Sequence, residues 1–385
     1  MSASQSATHA IEASREALIE LSHFVHAHPE LGYEEFESAE AVAKACESAG
    51  FTVERGIASL PTAFRATKGS GSLHIVLCAE YDALPDVGHA CGHNIIAASS
   101  VGAAIGLAAV ADELDLTVTL LGTPSEEGGG GKIDLINAGY FDSAHAAMMI
   151  HPWPSERLEA TCLAVDHFDV TFEGKDAHAS AAPWEGVNAL DALNIAQVAL
   201  GLLRQQLRPG DQYHGIVVEG GSAANIIPSR AVGRFMARSV TSERLGELRT
   251  RVNACFEAGS IATGATFTIE ELGSAFSHME SDDAILAHYR TAAESLGRTF
   301  ELDDAGAAKP TISTDMANVS LVVPAIHPLL AIPTNGAVNH QPEFTASCIT
   351  PAADQAVLDG AIALALTGIG VANDVPLRTR LMSRP

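Results

Sequence analysis

The chain has 385 residues, 47% apolar and 18% charged, which is ample for a core and more than one core usually serves, so two domains are expected. Its 22 basic and 47 acidic side chains leave a net charge of −25, which argues against nucleic acid and anionic membrane as partners, since both need a basic footprint. The opening MSASQSATHAIEASREALIELSHF lacks the cationic start and apolar core of a signal peptide, and no stretch reaches about 18 uninterrupted apolar residues, so neither export nor a membrane span is expected.

Residues 10–28 place Ile11, Leu18, Leu21 and Val25 at helical spacing, and a second helix is expected over about 34–49. Short β-type runs, FTVERG and TAFRAT, precede a nearly continuous apolar strand at 73–79, as in a sheet covered on both faces. IIAASSVGAAIGLAAVA reads as a buried helix packed closely on that sheet. A second apolar strand is expected at 116–122, before TPSEEGGGG, and a third in HAAMMIHPWP, ending at His151. This alternation predicts a mostly parallel α/β sheet, whose strand carboxyl ends form the ligand crevice.

From about 165 the texture changes. DHFDVTFEG alternates like a half-exposed strand, a long helix is expected near 187–208, and strands near 214–220 and 230–239. A helix near 242–257 and the strand ATFTIEELG complete a β-α-β-β-α-β order, the pattern of a ferredoxin-like α+β insert. The helix DDAILAHYRTAAESLG then resumes the first domain. The expected division is a catalytic domain of residues 1–164 and 276–385 around a lid and dimerisation domain of residues 165–275.

All three strands of the first domain end in reactive residues: Asp82 through His93, Glu126-Glu127, and His151. The six cysteines show no CxxC and no framework spacing, so they read as reduced thiols of a cytoplasmic protein, five of them in apolar settings. Cys91 differs. It lies two before His93, so extended backbone would turn both side chains one way. With Glu127, His151 and the loop residue His340 they make one thiolate, one carboxylate and three imidazoles, a donor set for Zn²⁺, Mn²⁺ or Co²⁺. Singly, each of these residues reads more simply as core or solvated. Glu126-Glu127 would divide the work, one carboxylate binding metal and the other acting as general base on water; the bland alternative is acids at a helix N-terminus. GGGGK at 128–132 is not a phosphate loop, because Ile133 stands where Ser or Thr is needed and acids precede it. The glycines are expected to let backbone pass close to a metal or substrate. Cys91 as a nucleophile with His89 or His93 as base stays open, but leaves the two glutamates, His151 and His340 without a task.

The ordered motifs HPELGYEE, YDALP, HACGHN, TPSEEGGGG, IHPWP, GKDAHAS, GGSAANIIPSRAVGRFMAR and NHQPEF resemble the di-metal aminoacylase and amino-acid-conjugate amidohydrolase family of metallopeptidases, from about residue 10 to 370. That family includes indole-acetyl-amino-acid hydrolases, aminobenzoyl-glutamate hydrolase and carboxypeptidase G. HACGHN and STDMANVS look most like its dipeptidase-like branch. The resemblance implies metal ligands Cys91, His93, Glu127, His151 and His340, binding two divalent ions per subunit (Zn²⁺ or Mn²⁺, with Co²⁺ a third option). It implies Glu126 as the base and His178 as the residue that meets the oxyanion, in many relatives from the partner of a homodimer joined through the lid. Asn225 and Arg238 match positions that hold the substrate carboxylate, for which an Arg fork is suited.

Two departures stand out. Glu80 occupies the place of a histidine ligand in distant branches, which leaves Asp82 as a support rather than a ligand. Asn94 stands where CGHD is commoner and lacks the charge an aspartate would lend the site. His89 is expected to be a support or structural. The reading is a metal-dependent amidohydrolase cleaving a small amide, an N-acyl amino acid or dipeptide-like conjugate with a free carboxylate. A cysteine amidase and a non-catalytic metal-binding protein of the same fold are the alternatives; the intact base and ligand positions count against the latter.

Overall fold

The computed structural model describes residues 1–383. The chain divides into two compact units: Met1–Thr161 together with the segment from Met279 onward, and Cys162–His278.

The first unit starts with α1 (Ala3–Ala13), α2 (Arg15–Ala27) and α3 (Phe36–Ser48). The one helix expected over residues 10–28 is therefore two. Ser14 breaks it: its side chain bonds back to Ala10 O at 3.1 Å and its backbone leaves the helix at ψ 4°. There follow β1 (Thr52–Arg55), β2 (Phe64–Gly69), β3 (Leu73–Ala79), α4 (His93–Ala108), β4 (Leu116–Gly122), α5 (Gly131–Asn137), β5 (Ala146–Met148) and β6 (His151–Trp153).

The second unit is β7 (Ala164–Glu173), α6 (Ala189–Leu203), β8 (Gln212–Glu219), β9 (Arg230–Ser239), α7 (Ser242–Thr263) and β10 (Thr266–Glu271). Its sheet is antiparallel in the order β10-β7-β9-β8, with β8 at an edge. Phe168, Phe172, Phe235 and Phe256 form its core with the apolar faces of α6 and α7. This is the expected β-α-β-β-α-β unit.

On its return the chain adds α8 (Asp283–Ser295), β11 (Ala325–Ile326), β12 (Leu329–Ala331) and α9 (Pro351–Asn373) to the first unit. The main sheet runs β1-β2-β4-β3-β5-β11; β4, β3, β5 and β11 are parallel, and β2 and β1 are an antiparallel extension. The third strand expected through His151 is broken. Pro152 and Pro328 have no N–H to give a ladder, and His151 begins a separate two-stranded piece with β12. β3 and β4, buried on both faces, nevertheless end side by side as expected.

Helix α9 has no counterpart among the sequence expectations. Its residues are mostly apolar, without the one-sided period that reveals an amphipathic helix, because it is buried nearly all round against α4, α8, α1 and α2. Helices α4 and α9 approach closely, since a Cβ on Gly102 would lie 2.7 Å from that of Ala361. Among the described residues α9 is the one helix long and apolar enough to cross a membrane, and 78% of its most apolar window is buried.

Candidate metal centre

Three strand ends bring the site together. Just past β3, Asp82 accepts from the ring of His93: Nδ1 lies 2.9 Å from its main-chain oxygen and 3.0 Å from Oδ1. Its other oxygen, Oδ2, accepts the Glu127 N–H at 2.9 Å. One buried carboxylate thus ties the His93 ring to the Glu127 backbone. The Cys91–His93 segment is not the extended backbone expected. Gly92 is left-handed at φ +74° and His93 opens α4, so the thiol and imidazole meet across a turn. Only glycine fits there, because a Cβ would lie 2.9 Å from Pro152 Cγ.

Past β4, the Ser125 carbonyl accepts from the N–H groups of Gly129 and Gly130 at 3.1 and 2.8 Å, curling the loop around Glu126 and Glu127. A Cβ on Gly131 would overlap the Pro124 carbonyl oxygen. Gly129, Gly130 and Gly131 therefore close this loop on itself, while a Cβ on Gly128 would meet nothing within 4 Å. Ser125 N–H donates to Glu35 Oε1 at 2.8 Å, so Glu35, which sequence reasoning passed over inside HPELGYEE, anchors the loop from beneath. Burial, reinforced by the Asp82 charge, pushes the Glu35 carboxyl up to about 7.

His151 Nδ1 lies 2.8 Å from Pro152 O, which fixes the ring proton there and leaves Nε2 with its lone pair. His340, in a left-handed loop at φ +70°, is held by its N–H to Ala90 O at 3.0 Å, and its Nε2 lies 3.7 Å from Glu127 Oε2. Two triads result, Cys91–His93–His151 and Cys91–Glu127–His340, each with donor atoms within 4.8 Å of one another. Both contain the Cys91 sulfur. A third, Glu80–His93–Glu126, shares His93.

The electrostatics call for a cation. His93 Nδ1 is spent on Asp82, while its buried Nε2 has no hydrogen-bond partner and faces Glu80 at 3.4 Å and Glu126 and Glu127 at 3.9 Å. Burial disfavours charge on His93, but Asp82, Glu80 and Glu127 outweigh it and raise its pKa well above the ordinary value. An acceptor nitrogen among carboxylates needs a proton or a metal ion between them. Burial, then the Glu127 and Glu126 charges, hold the Cys91 thiol far above its usual range, so a thiolate there also needs a cation. The residues fit a divalent metal.

Other expected residues fall elsewhere. Asn94 donates to Ser22 Oγ at 2.8 Å and Cys348 O at 3.0 Å, tying the start of α4 to other segments of the unit, and its buried Oδ1 has no hydrogen-bond partner. His89 is buried, pushed down to about 3 by burial and the His93 charge, and belongs to none of the triads. His178, Asn225 and Arg238 lie in the second unit. His178 bridges Ile226, and Ala179 N–H donates to Asn225 O at 3.0 Å, so the first two are neighbours. Arg238, on β9, is half-buried with its guanidinium against Met236 Sδ. Sequence reasoning missed Lys132, Asp315 and His327, all buried close to the triads. Lys132 stands in GGGGK, set aside as no phosphate loop, and Asp315 in STDMANVS, where the signal was a resemblance alone.

Residues 76–357 match the family model for peptidase family M20/M25/M40. The chain belongs to this family. A mouse (Mus musculus) Xaa-Arg dipeptidase is 39% identical over 376 residues, 94% of this chain and 87% of that protein. One of the subunits of p-aminobenzoyl-glutamate hydrolase from Escherichia coli (strain K12) is 32% identical over 67% of this chain and 58% of its own. The same fold is seen in a dinuclear metal-binding M20 peptidase from Bacillus subtilis, with a TM-score of 0.68 at 21% identity over 93% of this chain and 99% of the other. As an M20 member the chain is a hydrolase of the metallopeptidase class, and the strand-end donors described above lie within the matched segment.

Proposed function

We propose that the protein hydrolyses the amide bond of a dipeptide or N-acyl amino acid with a free carboxylate, using two divalent ions, Zn²⁺ or Mn²⁺. One would be held by Cys91, His93 and His151 and the other by Cys91, Glu127 and His340. The observation that carries this reading is the single sulfur common to two donor triads. Ions held there would supply Lewis acidity toward the scissile carbonyl and toward water.

The chain's own groups do the rest. Glu126 is raised well above the carboxylate range by burial, then by Glu80 and Glu127, and this suits a group that accepts a proton from water and passes it to the leaving amine. Asp82 holds His93 and the Glu127 backbone in register. His178 Nδ1 accepts from the Ser180 and Ala181 N–H groups at 3.2 and 3.1 Å, so a neutral ring keeps its proton on Nε2 as a donor for an oxyanion. Asn225 and Arg238 are the proposed carboxylate-binding pair. A Cys91 nucleophile is the poorer reading, because the thiolate is disfavoured where it lies.

A homodimer through the second unit is also proposed. Strand β8 is an open edge, with Ile216, Val217 and Val218 exposed there and Val198 and Leu202 exposed on α6. The proposed location is the cytoplasm, in keeping with six free cysteines.

Dipeptides ending in arginine are the first substrates to test, because the mouse and human relatives, 39% and 36% identical over 94% of this chain, are Xaa-Arg dipeptidases. Xaa-Arg dipeptides, N-acyl amino acids and p-aminobenzoyl-glutamate would be offered to protein loaded with Zn²⁺, Mn²⁺ or Co²⁺. Chelator-sensitive release of the free amino acid is the expected result. Loss of activity on thiol alkylation of metal-loaded protein, with indifference to chelators, would overturn the proposal.

A further inference from the structure

A buried ion cluster adjoins the donor triads. Glu80, one residue past β3, Lys132, in the first turn of α5, and Asp315, ahead of β11, are all fully buried. Lys132 Nζ donates to Glu80 Oε1 at 2.5 Å and to Asp315 Oδ1 at 2.6 Å, and Lys132 N–H donates to Asp315 Oδ2 at 2.9 Å. Asp315 thus grips both the backbone and the side chain of one lysine. Glu80 turns its other oxygen, Oε2, which has no hydrogen-bond partner, toward His93 Nε2 at 3.4 Å.

His93 Nε2 therefore has two sets of neighbours. Cys91 and His151 form one; Glu80 and Glu126 form the other, again with donors within 4.8 Å of one another. The 3.4 Å gap from Glu80 to His93 is close to the edge of a tetrahedron around an ion with bonds of about 2.1 Å. Glu80 is placed to compete for the ion, and a Glu126 drawn into the same coordination would be lost as a base. The competitor is restrained by Lys132, whose charge-assisted hydrogen bond spends one Glu80 oxygen and much of its charge.

We propose that Lys132 is a positioning residue of the metal centre. Acting through Glu80 and Asp315, it keeps Glu80 an ion-paired neighbour of His93, so that the ion settles with Cys91 and His151 and Glu126 stays free. This rests on the metal reading given above. It is a role for the lysine at the exit of the Glu126–Glu127 loop beyond holding that loop in place.

The test uses cobalt-loaded protein, whose thiolate-to-metal absorption band reports whether Cys91 is a ligand. Lys132→Met, Glu80→Gln and the double variant are compared with wild type by that band, by bound-cobalt stoichiometry and by kinetics. Lys132→Met is expected to lose at least half of the band per bound ion and at least 100-fold in kcat, about the reach of one general base, with KM changed less than threefold. The double variant, with its competing carboxylate neutralised, is expected to regain most of the band and at least tenfold of the lost kcat. Lys132→Met strands two buried carboxylates, which endangers its folding; if it fails to fold, folding and a wild-type band in the double variant alone support the proposal. A full band in Lys132→Met, or a double variant that folds without the band, would overturn it. A wild-type protein without the band would sink the metal reading itself, a result distinguishable from either.

Discussion

Asp82→Asn isolates the carboxylate that aligns the site. The change is isosteric and opens no cavity, so its effect is confined to hydrogen bonding and charge. Asp82 Oδ1 takes the His93 Nδ1 proton at 3.0 Å and Oδ2 takes the Glu127 N–H at 2.9 Å. An amide offers a single acceptor oxygen, so asparagine keeps one of these bonds and sets an N–H₂ against the other donor. Losing a hydrogen bond to a charged group costs about 1.5–3 kcal/mol, which corresponds to about 10- to 150-fold in an equilibrium constant. Outer partners of metal-bound histidines are typically worth about 10- to 100-fold in affinity, the same range. Competition between the protein and a chromophoric chelator for Zn²⁺ reads this directly, and chemical denaturation of the metal-free form controls for stability. The Asp82 main-chain oxygen, 2.9 Å from His93 Nδ1, is unchanged in this variant, so zinc affinity within twofold of wild type would refute the claim that the Asp82 carboxylate aligns the site.

Glu126→Gln should retain metal while kcat falls by about 10²- to 10⁴-fold, the reach of a positioned acid–base group; elemental analysis alongside kinetics checks both halves. Gly131→Ala should cut turnover and zinc affinity together, because its methyl would displace the Pro124 carbonyl and with it the Glu126–Glu127 loop; unchanged values in both would show that the loop tolerates movement. Three buried imidazoles make the metal-free protein acid-labile. Burial holds His89 and His151 down to about 3 and His327 to about 4, so these rings stay neutral in the fold but take protons near 6.5 once unfolded. For these rings the unfolded state binds more protons, so the stability they contribute is fully present above pH 6.5 and is lost as pH falls toward 4. His327→Gln should flatten that slope by up to one proton in urea midpoints measured across the window. Equal slopes would contradict the assignment.

The convergence of Cys91, His93, Glu127, His151 and His340 was legible because these reactive residues stood at strand ends or in one loop, where a parallel sheet gathers its chemistry. The local geometry of Cys91 and His93 nonetheless differs from the extended run expected: a left-handed glycine and a helix start, rather than a strand, set them side by side. What stayed hidden were pairings between distant segments. Lys132 and Asp315 are 183 positions apart, and a lysine after four glycines looks like a loop cation until its buried partners are seen. Glu35 reaches Ser125 across 90 positions, again with no local pattern. Helix α9 escaped because burial on all sides erases the period that marks a helix.

The central claim is that Cys91 is shared by two divalent ions. Metal stoichiometry of exhaustively dialysed, zinc-reconstituted wild-type and Cys91→Ala protein tests it most directly. The account predicts two ions per wild-type chain and, since both triads contain the same sulfur, weakened binding of both in the variant. One ion or none in the wild type, or two undiminished ions in Cys91→Ala, would contradict it.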